Sequence, residues 1–146
     1  MNSAVPSSCV LVVEDEWLIA TEIVNALASV GIGTLGPANS VSAALDIIAA
    51  NGPYAISAAV LDVHLGRETA EPVAAALAAR GVPFIYTTGC DRRMSDAGDQ
   101  VAPWLLKPID LRHLVEVLRA MTASRASMPV LRPSASPAWG AIAAAA

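Results

Sequence analysis

The chain has 146 residues, a net charge of -4 and 55% hydrophobic residues, so it is long enough for one domain with its own core. Its nine basic residues are scattered, which argues against a nucleic-acid surface. The first residues, MNSAVPSS, lack a basic n-region, and no run approaches the roughly 20 apolar residues of a membrane span. Cys9 and Cys90 form no CxxC pair, as is usual for reduced thiols. We therefore expect a cytoplasmic protein without nucleic-acid or membrane partners.

Short apolar runs alternate with helical patterns, which predicts a doubly wound parallel sheet of five strands. The first strand covers about Cys9–Val13, and the helix after it has apolar residues three and four positions apart, namely Ile19, Ile23, Leu27 and Val30, closed by Gly31. A second, weaker strand covers about Gly33–Gly36. Ser40 is the predicted N-cap of a helix with one apolar face, made by Val41, Ala44, Leu45 and Ile48, which Asn51 and Gly52 end.

The third strand, about Ala58–Asp62, is almost continuously apolar, as expected for a central strand covered on both faces. A helix is predicted over about Glu68–Ala79, with Gly81 as its terminator. The fourth strand covers Pro83–Thr88 and the fifth about Ala102–Leu106. These units complete the predicted five-stranded sheet.

The segment between the last two strands, GCDRRMSDAGDQVAP, has few apolar anchors, so we expect its helix to be short, irregular or mobile. Asp110 is the predicted cap of a last helix with a face made by Leu111, Leu114, Val115 and Leu118. Residues 8–122 are the predicted domain. Residues 123–146 are rich in Ser, Ala and Pro and are expected to be a flexible tail, or else a docking segment anchored by Trp139 and Ile142.

Four of the apolar runs end in residues that phosphoryl chemistry uses: Glu14 with Asp15, Asp62, Thr88 and Lys107. Because the carboxyl ends of parallel strands meet at one edge of the sheet, these side chains are expected to converge. An aspartate or a lysine at a strand end is by itself usually a turn residue or a solvated one. Their joint arrangement predicts a site that handles phosphate.

Asp62, at the end of the central strand, is the candidate nucleophile, since a carboxylate can accept a phosphoryl group as an acyl phosphate. Carboxylates at Glu14 and Asp15 would repel it unless a cation lies among them. Mg²⁺ suits such a set because it prefers hard oxygen ligands. We expect Asp15, Asp62 and the backbone carbonyl of His64 to be ligands, with Glu14 contacting a metal-bound water.

Lys107, the only lysine in the chain, is expected to neutralise phosphoryl oxygens, and the Thr88 hydroxyl to donate to another of them. His64 has no second histidine nearby, so neither a phosphohistidine nor a metal-binding imidazole is expected. We assign His64 and Cys90 a role in gating the access of water.

The motifs VVEDE (12–16), LDVHLG (61–66), TTG (87–89) and LKP (106–108) resemble those of response-regulator receiver domains over about residues 8–122. The resemblance implies a flavodoxin-like strand order of 2-1-3-4-5. It also implies site roles, which are the phosphorylated aspartate for Asp62, the acidic pair for Glu14 and Asp15, the switch hydroxyl for Thr88, the conserved lysine for Lys107 and the switch aromatic for Trp104.

The segment PFIYTTGC (83–90) further resembles the FAT GUY receivers, although Thr87 stands in place of the alanine of that motif and Cys90 departs from its aromatic ending. This resemblance implies a stand-alone regulator, not an enzyme, that is a monomer or weak dimer. Its implied partners are a histidine kinase, of the HWE type for this subgroup, or a phosphotransfer protein. Its implied output is a protein contact or a phosphate sink. The alternatives are a pseudo-receiver that acts without phosphorylation and a small aspartyl phosphatase.

Overall fold

The computed structural model describes residues 9–52, 54–89 and 103–127. A five-stranded parallel sheet forms its centre, with strands β1 (Cys9–Val13), β2 (Gly33–Ala38), β3 (Ile56–Asp62), β4 (Phe84–Thr88) and β5 (Trp104–Leu106). Their order is β2-β1-β3-β4-β5, which confirms the predicted order and the flavodoxin-like fold class.

Within the described residues, four helices pack on this sheet: α1 (Trp17–Ala28), α2 (Val41–Ala50), α3 (Glu71–Ala79) and α4 (Leu111–Ser127). None of the helices in the described part of the chain is both long and apolar enough to cross a bilayer. The Ser40 side chain caps α2 by accepting a hydrogen bond from Ala43 N–H at 3.1 Å, and Asp110 accepts one from His113 N–H at 3.2 Å at the start of α4. Both caps were predicted.

The two faces of the sheet build two separate apolar clusters. Residues of α2 and α3 pack against the face that carries Leu61 and Phe84, while α1 and α4 pack against the face that carries Val60 and Ile85. Because side chains alternate along a strand, residues two positions beyond Val12, Val60, Ile85 and Leu105 stay on the second face. The strand ends on that face are Glu14, Asp62, Thr87 and Lys107.

The third helix begins later than predicted. Residues Glu68–Thr69 pair antiparallel with His64–Leu65 instead of starting the helix. Gly66 permits this reversal because its φ of 65° lies in the left-handed region. The helix then starts at Glu71, with Pro72 in its first turn, a position that suits proline because no intrahelical partner is lost there.

Other boundaries differ by a few residues. Val30 lies beyond the end of α1 and is 38% exposed, so it does not extend the apolar face of that helix as predicted. Strand β3 begins at Ile56, two residues before the predicted start, and β2 continues to Ala38. Residues 90–102 of the predicted irregular segment (89–103) and residues 128–146 of the predicted tail (123–146) lie outside the described residues.

Replacing Gly36 by alanine is expected to lower the free energy of unfolding by about 1–3 kcal/mol. Gly36 has a φ of 91°, and a Cβ there would lie 2.7 Å from the backbone nitrogen of Ala38 and 2.8 Å from the carbonyl oxygen of Val12. Both neighbours are backbone atoms, Ala38 of the same strand and Val12 of the adjacent β1, and cannot rotate away. Urea unfolding of Gly36→Ala measures the loss. Gly52→Ala is the control, since a Cβ at that position would have no atom within 4 Å; equal stability of the two variants would contradict the prediction.

Candidate functional site

Carboxylates from β1 and β3 share one ammonium group at the carboxyl edge of the sheet. The Lys107 Nζ lies 3.2 Å from Glu14 Oε1 and 3.2 Å from Asp62 Oδ2. Glu14 and Asp62 are 2% and 5% exposed, although both are acids. Burial of two carboxylates at this distance is tolerable only because the lysine lies between them.

Asp15 lies at the solvent side of this pair. Its Oδ2 accepts a hydrogen bond from the backbone N–H of Gly66 at 3.0 Å, so the loop after β3 holds it in place. Glu14, Asp15 and Asp62 each offer an oxygen within 4.8 Å of the others. The predicted convergence of the three acids is therefore present in the structure.

This oxygen set fits a small divalent cation. Glu14 Oε1 lies near the lysine but accepts no hydrogen bond from any described residue, although it is buried. The lysine supplies positive charge to this oxygen, whose lone pairs can also bind a cation. Carboxylate oxygens of this kind are the ligands that Mg²⁺ prefers, so the site is compatible with Mg²⁺.

The electrostatics of the site are dominated by burial and by the crowding of charges. Burial, together with the adjacent Asp62 carboxylate, raises the pKa of Glu14 to about 7. Burial alone would lower the pKa of Lys107, but the charges of Asp62 and Glu14 outweigh it and raise the pKa above its usual value. The lysine therefore remains a full positive charge at neutral pH.

Lys107 reaches Asp62 from two strands away and Glu14 from three. It follows β5, and its backbone N–H donates to the carbonyl oxygen of Thr88 at 2.7 Å. Since β4 lies between β5 and β3, the aliphatic stem of the lysine must cross β4 to reach Asp62. Thr88 ends β4, is 1% exposed and accepts this backbone hydrogen bond, so it lies at the same edge of the sheet as the lysine.

The remaining predicted residues are placed around this centre. The backbone N–H of His64 donates to Asp62 Oδ1 at 3.3 Å, and its side chain is exposed. Trp104 is half-buried in β5 and pairs with Tyr86 of β4. Cys90 lies outside the described residues. The gating, switching and carbonyl-ligand roles given to these residues stay predictions.

Three features of the site had no assigned role in the sequence. Glu16 Oε1 lies 4.0 Å from the lysine Nζ, and the backbone N–H of Glu16 donates to Glu14 Oε2 at 3.2 Å. Gly66 holds Asp15, and Thr87 has a fully buried hydroxyl. Glu16 could have been found as the third acid of VVEDE, whereas the other two depend on the register of the strands and on the loop after β3.

No protein-family model and no curated protein matches the chain. Among solved structures, SdrG from Sphingomonas melonis Fr1 is 37% identical over 78% of this chain and 95% of that one, with a TM-score of 0.62. A response regulator receiver protein from Burkholderia phymatum is 26% identical over 80% and 96%, with a TM-score of 0.69. TrrA from Thermotoga maritima, a response regulator protein solved with Mg²⁺ and BeF, is 18% identical over 79% and 99%, with a TM-score of 0.67.

The strand order and the acidic edge of the sheet agree with the structures that the chain resembles. Those structures are response regulator receiver domains of the CheY-like type. The chain therefore has the fold of the response regulator receiver domains, and it is 37% identical to SdrG and 26% identical to the receiver protein from Burkholderia phymatum.

Proposed function

We propose that the chain is a single-domain response regulator that accepts a phosphoryl group on Asp62 from a histidine kinase or a phosphotransfer protein, with Mg²⁺ bound. The observation that carries the proposal is the lysine Nζ at 3.2 Å from both Glu14 and Asp62, beside a third carboxylate at Asp15. A purely structural ion pair needs one acid for one lysine. The excess of carboxylates leaves capacity for a cation, which together with the lysine would bind the oxygens of a phosphoryl group.

In the transfer, an Asp62 carboxylate oxygen forms a bond to phosphorus as the bond from phosphorus to the histidine nitrogen of the donor breaks. The nitrogen keeps the electron pair and takes up a proton. The Lys107 ammonium donates a hydrogen bond to Asp62 Oδ2 and can move to the phosphoryl oxygens as negative charge develops on them. The Thr88 hydroxyl is proposed to donate to another of those oxygens and to act as the switch with Trp104.

Glu14, Asp15 and Asp62 are the residues proposed to hold Mg²⁺, with the backbone carbonyl of His64. When bound, the cation would neutralise negative charge on the phosphoryl group during transfer. TrrA, of the same fold, was solved with Mg²⁺ and BeF, which supports this part of the proposal. In this chain, Mg²⁺ binding is also supported by the buried Glu14 Oε1, which accepts no hydrogen bond from a described residue.

The proposed setting is a cytoplasmic phosphorelay, in which the chain acts as a phosphoacceptor and not as an enzyme on other substrates. The PFIYTTGC segment supports a place among the FAT GUY receivers and a kinase of the HWE type as donor. Signalling would then run through a protein contact or through removal of phosphate from the kinase. Phosphotransfer from a panel of kinases tests the subgroup: preferential transfer from HWE-type kinases is expected, and equal transfer from all types would contradict it.

Incubation with acetyl phosphate and Mg²⁺ is expected to add one phosphoryl group to the wild-type protein and none to Asp62→Asn, measured by intact mass. The amide of asparagine is not a nucleophile for phosphorus. Asp46→Asn, which removes an exposed acid of α2, is the matched control and is expected to be phosphorylated normally.

Each other outcome has a definite meaning. An adduct that persists in Asp62→Asn would place the phosphoacceptor elsewhere. No adduct on the wild type with acetyl phosphate or with any kinase would favour the pseudo-receiver. Steady turnover of unrelated phosphate esters would favour an aspartyl phosphatase.

A further inference from the structure

The Thr87 hydroxyl is buried and has no hydrogen-bond partner among the described residues. Thr87 is 0% exposed, and its Oγ1 makes no hydrogen bond with any residue of 9–52, 54–89 or 103–127. An unpaired buried hydroxyl is unfavourable, whereas valine has the same shape without the polar atom. A polar side chain at this position is therefore explained by a second state in which the hydroxyl is paired.

The register of the strands places Thr87 beside the reacting residues. Its Cα pairs with that of Asp62 on β3 and with that of Leu105 on β5. Alternation along the strands puts Thr87 on the same face of the sheet as Asp62 and Lys107. Thr87 therefore lies on the strand between those of Lys107 and Asp62, at the edge where the lysine reaches the aspartate.

Both oxygens of Asp62 already accept hydrogen bonds in this structure. Lys107 Nζ donates to Oδ2 at 3.2 Å, and the His64 backbone N–H donates to Oδ1 at 3.3 Å. Phosphorylation would change this arrangement, because phosphoryl oxygens carry more negative charge and compete for the lysine. The Asp62 oxygen that the lysine leaves would then lack a donor, next to a threonine hydroxyl that lacks an acceptor.

We propose that Thr87 is a positioning residue for phosphorylated Asp62, whose hydroxyl donates to the carbonyl oxygen of the acyl phosphate once Lys107 has moved to the phosphoryl group. This inference rests on the proposed phosphorylation of Asp62. The hydrogen bond fixes the rotation of the Asp62 carboxyl group and so the direction in which its other oxygen points to phosphorus. The hydroxyl is unpaired before transfer and becomes paired in the transition state, as the lysine moves to the phosphoryl oxygens.

Thr87→Val is expected to raise the midpoint of thermal unfolding of the unphosphorylated protein, because it removes an unpaired hydroxyl. The same change is expected to lower the rate constant of phosphorylation by acetyl phosphate and Mg²⁺ about threefold to tenfold, the value of one net hydrogen bond. Intact mass against time measures this rate. Thr87→Ser keeps the hydroxyl and is expected to restore the rate; Thr87→Ala, which also lacks it, replaces the valine variant if that variant does not fold.

Ser57→Ala is the matched control. Ser57 is another buried hydroxyl of the sheet, located at the start of β3, and donates to the Cys9 carbonyl oxygen at 3.3 Å. Its removal is expected to lower stability and to leave the phosphorylation rate unchanged.

Equal phosphorylation rates for wild type and Thr87→Val would overturn the assignment, and so would a loss in Thr87→Val that serine does not restore, since packing would then explain it. A wild-type protein that is never phosphorylated would instead overturn the proposed function and this inference with it. Phosphorylation of the wild-type protein therefore shows whether a failure concerns the proposed function or only the role of Thr87.

Discussion

Replacing Lys107 by methionine is expected to reduce the rate of Asp62 phosphorylation by about 10²–10³, the usual loss when one preorganised charge partner of a transition state is removed. Lys107 is the charge that touches the Asp62 carboxylate, at 3.2 Å, and methionine has a similar length and no charge. Acetyl phosphate with saturating Mg²⁺ is the donor, and intact mass against time gives the rate constant.

The lysine variant needs two controls. Arg119→Met removes a long cation from an exposed position on α4 and is expected to leave the rate unchanged. Lys107→Arg keeps the charge but replaces a compact ammonium by a planar guanidinium, so it is expected to recover part of the rate and no more. A folded Lys107→Met protein within tenfold of the wild-type rate would contradict the role given to this lysine.

The fold could be predicted because the apolar composition of each strand reveals its position and its burial in the sheet. Strand β3 is buried along its whole length, and the sequence from Ala58 to Asp62 shows the continuous apolar run that such burial requires. The strand ends then bring Glu14, Asp62 and Lys107 together by topology alone. The parallel strand order is therefore enough to predict that these side chains meet, as the 3.2 Å distances show.

What could not be predicted depends on tertiary contacts. Helix α3 starts at Glu71 and not at Glu68 because Glu68–Thr69 pair with His64–Leu65. A strand of two residues is too short to show a hydrophobic periodicity in the sequence. The contact between the Gly66 N–H and Asp15 joins residues that are 51 positions apart. The unpaired Thr87 hydroxyl became visible only when burial and register were both known, since a threonine in a strand is otherwise ordinary.

The metal-free protein is expected to lose stability as the pH rises from about 4.5 to about 7. Burial and the Asp62 charge raise the pKa of Glu14 from 4.5 to about 7 in the folded state. Between these values the folded protein keeps a proton that the unfolded chain has released, so raising the pH favours unfolding, by an amount on the order of 2–3 kcal/mol. Lys107 remains charged throughout this range and does not contribute to the pH dependence of the free energy of unfolding.

Mg²⁺ is expected to remove this loss. A carboxylate binds a metal only without its proton, so the cation stabilises the folded protein more at pH 8 than at pH 5.5. Urea unfolding with Mg²⁺ or with a chelator, at both pH values, measures the two effects. Trp17 provides a second readout, because it is 74% exposed and lines the same groove as Glu14 and Asp15, so its fluorescence is expected to report cation binding.

Glu14→Gln isolates the contribution of this one carboxyl group from those of the other acids. The variant is expected to be more stable than the wild type above pH 7 without metal, to be equal to it near pH 4.5, and to gain less from Mg²⁺. Glu22→Gln removes an exposed acid of α1 and is expected to follow the wild type at every pH. If the difference in stability between the wild type and Glu14→Gln stayed constant from pH 4.5 to pH 8, Glu14 would not be the group that couples folding, protons and the cation at this edge.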